Sequence, residues 1–280
     1  PPPWDGYGFD DEPVRVAFVN YARRVVQTFE PDYLLIAIEV SAAQVEDENA
    51  WQSFLAMHKK VYGELKALYP DLPIMVSFSA TSYMTDEVFP LMPDRSLENG
   101  HAWKHDEMEA GVRERLVQGF EDILPYTDIV ALSLYPHFGK YNAYQVPATM
   151  FDQLFAMLRD AGAGSKPIAV AESGFTADPF SIVIDGAPAP YLFTGSPEKQ
   201  ARFLKLMFYE LNKSGHPVEF VVNFSVRDGD IWWRRLQAAG ESVFNQFYQY
   251  FRDVGVIGGD GEFRPGTLVW WTEFNRPLER

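Results

Sequence analysis

Two kinds of segment alternate along the chain. Short runs dense in Val, Ile, Leu and Ala occur at "YLLIAIEV" (33–40), "PIMVSFS" (73–79), "DIVALSLY" (128–135), "PIAVAE" (167–172) and "EFVVNFS" (219–225). Their near-continuous apolarity is what a parallel-sheet strand covered on both faces requires. The longer stretches between them repeat apolar residues three and four apart. In 13–29, Val16, Val19, Tyr21, Val25 and Phe29 fall toward one side; in 51–69, Phe54, Met57, Val61, Leu65 and Leu68 do. The same period predicts helices over 109–124, 148–162 and 196–215. The last has Ser196 as N-cap, Pro197 at the first helical position and Gly215 at its close.

Five rounds of strand and helix predict an α/β fold of the TIM-barrel kind, with a parallel sheet. Strand starts recur about every 46 residues, so eight units would need about 370 residues, more than the 280 present. The expectation is an incomplete barrel of about five βα units, opening with a helix that lacks its preceding strand. No linker or low-complexity tract interrupts the chain, so residues 1–280 are expected to form one partial-barrel domain. Open sheet edges invite pairing. They are expected to be covered by self-association or by the terminal segments "PPPWDGYGF" and "TLVWWTEF".

In such folds ligands sit at the C-terminal ends of the strands. The run ends present Glu39, then Tyr135 with His137 close behind, then Glu172 in "AESGF", then Asn223 and Phe224. By simple alternation Leu35, Ala37 and Glu39 share a direction, as do Ile168, Val170 and Glu172. Aliphatic residues behind each acid would then fill the barrel, with both carboxyls at its mouth. Two carboxyls about 5 Å apart suit retaining glycoside hydrolysis, one as nucleophile and one as acid/base. The competing reading for a single strand-end glutamate is a salt-bridge partner or a helix-cap ligand. Two of them on one face weigh against that.

"DIVALSLYPHF" (128–138) followed by "KPIAVAESGF" (166–175) resembles strands six and seven of the (β/α)₈ retaining glycoside hydrolase clan. The arabinogalactan endo-β-1,4-galactanase family, with its "LSxYP" strand, Glu-(Ser/Thr)-Gly turn and a helix start like "SPEKQARFLK", is the nearest in pattern. "PDYLLIAIEVS" is similar to its strand four, and "FRDVGVIGGDGEFRPGTLVW" to its tail after strand eight. The resemblance implies Glu172 as nucleophile, Glu39 as acid/base and Tyr135 as the residue orienting the nucleophile. It further implies a β-linked polysaccharide or oligosaccharide as substrate, with His137, Asn223, Trp232 and Trp233 as candidates for lining sugar subsites.

The chain departs from the family pattern at Ile38, where an asparagine precedes the acid/base, and at Phe224, where strand eight offers a tryptophan. Strands one to three have no counterpart. These departures leave an alternative standing: a catalytically impaired carbohydrate-binding pseudo-enzyme of the same fold.

Composition narrows the rest. A net charge of −15 argues against a nucleic-acid partner. The absence of cysteine removes disulfides and thiolate chemistry. His101 and His105 have a spacing that could hold a metal on one helix face, but no third ligand accompanies them, so they read as surface histidines and neither metal nor other cofactor is expected. No stretch has membrane-spanning length and no signal peptide opens the chain. The abrupt start is read as a trimmed fragment or a mature product, which leaves room for secretion.

Overall fold

The structure is a computed structural model and describes residues 6–41, 48–80, 105–138, 146–182, 191–240 and 248–276. Within them, α1 (Glu12–Phe29) leads to β1 (Leu34–Ala37), α2 (Glu48–Leu68) to β2 (Ile74–Ser79), and α3 (His105–Ile123) to β3 (Ile129–Leu134). Then come α4 (Ala148–Asp160), β4 (Ile168–Ser173), a small antiparallel pair β5 (Phe180–Ile182) and β6 (Tyr191–Phe193), and α5 (Pro197–Lys213). The chain finishes with β7 (Val218–Val221), α6 (Asp230–Ala238) and α7 (Pro265–Phe274). Ser196 caps α5 as expected, accepting from Lys199 N at 3.2 Å. His101 and most of the acidic run 45–49 lie outside the described residues.

Among the described residues the main sheet has five strands, all parallel, in the order β1-β2-β3-β4-β7. Sequential order with a helix after each strand is the β/α-barrel pattern. The two faces bury different things. Leu34, Ile74, Val76, Val130, Leu132, Ile168 and Val170 pack outward against the helices, with Phe120, Phe151, Leu154 and Leu204. Met75, Ile129, Ala131 and Ala169 pack inward, together with Leu35, Ala171 and Phe220. That inner cluster draws on every strand of the sheet. The sheet curls so that its two edges come within reach: Tyr33, just before β1, packs tilted against Phe220 of β7 with ring centroids 5.0 Å apart.

Several expectations are corrected. Along α1 the buried residues are Val19, Ala22 and Val26, whereas Val16, Tyr21 and Phe29 are exposed. The packing face is rotated from the one that counting large apolar residues selects, because Ala22 is a contact residue and Phe29 ends the helix. Leu68 is likewise exposed at the end of α2. The first and fifth strands stop at Ala37 and Val221, short of their apolar runs, because each is an edge strand with one neighbour only. The terminal "TLVWWTEF" does not cover an edge. It forms α7 on the outside of α5, with Trp270 edge-on to Phe208 at 4.9 Å.

Candidate active site

Glu172 reaches the inner face through a bulge. The register of β3 on β4 pairs Ala131 with Ala169 and Leu132 with Val170, then skips Ala171 and pairs Ser133 with Glu172. Without that extra residue Glu172 would follow Ile168 and Val170 toward the helices. The simple alternation expected from sequence is therefore wrong for β4, and the bulge turns the carboxyl inward. β1 carries a second irregularity: Ile36 is the extra residue and Ala37 packs outward, so Leu35, Ala37 and Glu39 do not share a face. Glu39 escapes that phase by adopting a left-handed conformation, φ +48°. It is fixed there by β2: Glu39 N donates to Ser77 Oγ at 2.9 Å and Val40 N to Ser77 O at 3.0 Å.

The two carboxyls interact. Burial pushes the Glu39 carboxyl above the ordinary glutamate range, the negative charge of Glu172 adds to this, and the Ser133 hydroxyl beside it works the other way. Tyr135 Oη donates to Glu172 Oε2 at 2.9 Å. Burial, then the charges of Glu172 and Glu39, hold that phenol protonated, so it remains a donor.

The residues after Glu172 explain why a buried strand ends in Glu-Ser-Gly. Ser173 is fully buried and donates through Oγ to Val222 O at 2.8 Å, tying β4 to the end of β7. Gly174 lies beneath the Tyr135 ring, where a Cβ would stand 3.0 Å from Tyr135 Cε1 and 3.3 Å from Val254 Cβ. Glycine lets the tyrosine lie down on the turn.

Around Tyr135 stand Phe251, edge-on at 5.5 Å, and Phe224, edge-on at 6.4 Å and 43% exposed. Phe224 thus gives the site an open aromatic wall. His137 does not line the open surface. It is fully buried among Tyr135, Phe175 and Tyr250, with Nε2 at 3.1 Å from Tyr250 O, and burial depresses its pKa to about 4. Its place is behind Tyr135, as support. Asn223 is half-buried and donates to Ser225 O at 2.7 Å. Trp232 and Trp233 stand on α6, Trp232 against Tyr248 at 4.9 Å and Trp233 under the Arg252 guanidinium at 5.8 Å. Sequence reasoning missed Ser77, Ser133, Tyr250 and Phe251. For the serines a signal existed, since each interrupts an otherwise apolar strand.

The wall is braced from behind. Gln200 of α5 donates through Nε2 to the carbonyls of Phe175, Val254 and Gly255 at 3.0, 3.2 and 3.1 Å. Arg264 grips Asp228 with two bonds of 2.6 and 3.0 Å, and Asp228 also accepts from Gly255 N at 2.9 Å. An open depression of about 790 Å³ lies at the other end of the sheet, lined by Val26, Glu30, Asp32, Leu68 and Tyr69, away from the carboxyls. Among the described residues no group of three or more His, Asp or Glu is placed to hold a metal ion, and no helix is long and apolar enough to cross a membrane.

No family model matches the sequence, and no curated protein matches it either. Solved structures do. The fungal β-1,4-galactanases share 15% identity over 96% of this chain and 71% of theirs, with a TM-score of 0.53. A family 1 β-glucosidase from Thermotoga maritima shares 11% over 95% of this chain and 69% of its own, at 0.54. The β-D-glucuronidase of Dictyoglomus thermophilum shares 16% over 98% of this chain but only 38% of its own, at 0.53. Together with the parallel, sequentially ordered sheet, these likenesses give the chain the fold of the β/α-barrel glycoside hydrolases.

Proposed function

We propose that the chain is a retaining β-glycoside hydrolase acting on a β-linked polysaccharide or oligosaccharide. The observation that carries this reading is the inward-turned pair Glu39 and Glu172, with Tyr135 bound to Glu172 at 2.9 Å and Glu39 held toward its protonated form. Glu172, oriented by the tyrosine, attacks the anomeric carbon. Glu39 gives its proton to the departing glycosidic oxygen. In the second step Glu39, now a carboxylate, takes a proton from water, and the hydroxide equivalent displaces Glu172 from the sugar. Bound Tyr135 remains a donor throughout, and the exposed Phe224 face offers a surface for a pyranose ring. The chemistry requires no metal or organic cofactor.

One observation favours a second reading. Ile38, beside the proposed acid/base, is 63% exposed and carries no group that can bond a sugar hydroxyl. A chain that binds carbohydrate without cleaving it would tolerate that. Reducing-end release from a panel of β-linked polysaccharides, galactan included, separates the two. Hydrolysis that disappears in Glu172→Gln supports the hydrolase. Oligosaccharide binding with no release by either protein supports the pseudo-enzyme.

A further inference from the structure

Glu39 is aimed by its backbone, and that backbone is held from one side. β1 ends at Ala37 and has β2 as its only neighbour in the sheet. Ala37 packs outward, so an extended continuation would turn Ile38 inward and Glu39 outward again, toward the helices. Instead Glu39 is left-handed, which is unfavourable for a residue with a Cβ and persists where the surroundings over-determine it. Three bonds to β2 do so here. Glu39 N donates to Ser77 Oγ at 2.9 Å, Val40 N to Ser77 O at 3.0 Å, and Ser79 N to Ser41 Oγ at 3.0 Å. Both serines are buried, Ser41 at 0% and Ser77 at 1% exposure. Ser77 lies two residues after the inward-packed Met75 and pairs in register with Ala131, so it belongs to the inner face. With Ser77 O already taken by Val40, its hydroxyl is the acceptor that Glu39 N uses.

We infer that Ser77 is a positioning residue for Glu39: its hydroxyl holds the amide of the left-handed turn and so keeps the Glu39 carboxyl on the side of Glu172. This rests on the hydrolase reading for its catalytic meaning, but not for its geometry. Ser77 touches neither the substrate nor the reacting atoms, and no covalent bond changes at it. It acts through the main chain. With the hydroxyl gone, Glu39 N loses its acceptor while Val40 N keeps the Ser77 carbonyl, so the turn is released at Glu39 itself. The backbone then relaxes toward the extended conformation and the carboxyl swings outward, away from Glu172. A serine that merely filled the inner face would have no such effect, because its loss would leave the direction of Glu39 unchanged.

The test reads how closely the two carboxyls face each other. The charge of Glu172 helps to raise the Glu39 midpoint, so Glu172→Gln should lower it. Protein labelled with ¹³C at the glutamate side-chain carboxyl is titrated by NMR, with the Glu39 resonance identified by its loss in Glu39→Gln. When Ser77→Ala is also present, the drop caused by Glu172→Gln is expected to shrink to about half or less. Ser77→Thr, which keeps the hydroxyl, is expected to keep the full drop. Ser77→Cys, which accepts poorly but fills the space, takes the place of alanine if that variant folds poorly. A full drop in Ser77→Ala, a drop equally reduced with threonine, or no drop in the first place overturns the inference. Lost packing alone would lower the melting temperature and leave the drop intact. Because the titration needs no turnover, a reduced drop in a protein that hydrolyses nothing leaves Ser77 holding Glu39 and removes only the hydrolase reading. Hydrolysis with a full drop in Ser77→Ala does the reverse.

Discussion

Tyr33 Oη donates to Glu219 Oε2 at 3.0 Å, a bond between residues 186 positions apart that joins the entry of the first sheet strand to the last. With the Tyr33–Phe220 ring contact it links the two edges of a five-stranded sheet that backbone pairing leaves open. The bond is exposed, so the ring contributes more than the hydroxyl. Tyr33→Phe is expected to change stability by no more than about 0.5 kcal/mol. Tyr33→Ala should cost about 1–2 kcal/mol from the lost aromatic pair and its buried area. Urea unfolding of both variants reads the difference, and equal losses would mean the hydroxyl, not the ring, holds the edges.

Tyr135→Phe removes the hydroxyl that donates to Glu172 and leaves the aromatic wall in place. The expected result is a fall in kcat of about 100-fold with KM little altered, as when a single preorganised donor is lost from an active site. Steady-state kinetics on whichever β-glycan is cleaved provide the check. An unchanged kcat would remove Tyr135 from the machinery.

How much of this was legible beforehand follows from which physical signal each feature leaves. The five strand cores and the helices between them came directly from hydrophobic period, and Glu172, Glu39 and Tyr135 were visible as polar punctuation at the ends of apolar runs. The direction of the two carboxyls was not. It depends on the extra residue at Ala171 and, after the extra residue at Ile36, on the left-handed conformation of Glu39, and a bulge leaves no mark in composition when the added residue is as apolar as its neighbours. His137 misled for a related reason: a histidine two places after a strand-end tyrosine reads as a ligand contact, whereas the short helical turn 136–138 folds it back under that tyrosine. Phe251 lies far along the chain and reaches the site only through tertiary packing.

Gly174→Ala tests whether the turn after Glu172 sets the position of Tyr135. The added methyl meets the tyrosine ring at 3.0 Å and Val254 at 3.3 Å, so the ring must tilt away from the turn. A destabilisation of about 1–3 kcal/mol is expected from overpacking. Activity should fall at temperatures where the variant is fully folded, because the Tyr135–Glu172 bond is stretched. Loss of stability with full retained activity would show that the ring moves without disturbing the carboxylate.

His137 makes the protein sensitive to acid. Its pKa is about 4 when folded against 6.5 as a free side chain, so between those values the unfolded chain binds the extra proton. Stability is therefore fully present above about pH 6.5 and declines toward pH 4, by roughly 3 kcal/mol at the lower end. His137→Asn is expected to flatten that part of the curve, whatever it does to stability at pH 7. Unfolding midpoints measured from pH 7 to pH 4.5 give the slope, and parallel curves for the two proteins would assign the acid sensitivity elsewhere.

Glu39 acts in the opposite sense. Its folded carboxyl is held above its unfolded value, first by burial and then by Glu172, so the folded state binds the proton more tightly. The stability linked to this is present below about pH 4 and lost as pH rises through the folded pKa. Replacing the charge should relieve that loss, so Glu39→Gln is expected to unfold at higher temperature than the wild type at pH 8 and to gain nothing near pH 4. An active site that keeps two carboxyls close at the expense of stability behaves in this way. Structural ion-pair partners do the reverse, because their removal lowers stability at neutral pH. Melting curves of the two proteins at pH 4, 6 and 8 therefore separate a functional glutamate from a structural one, independently of any substrate.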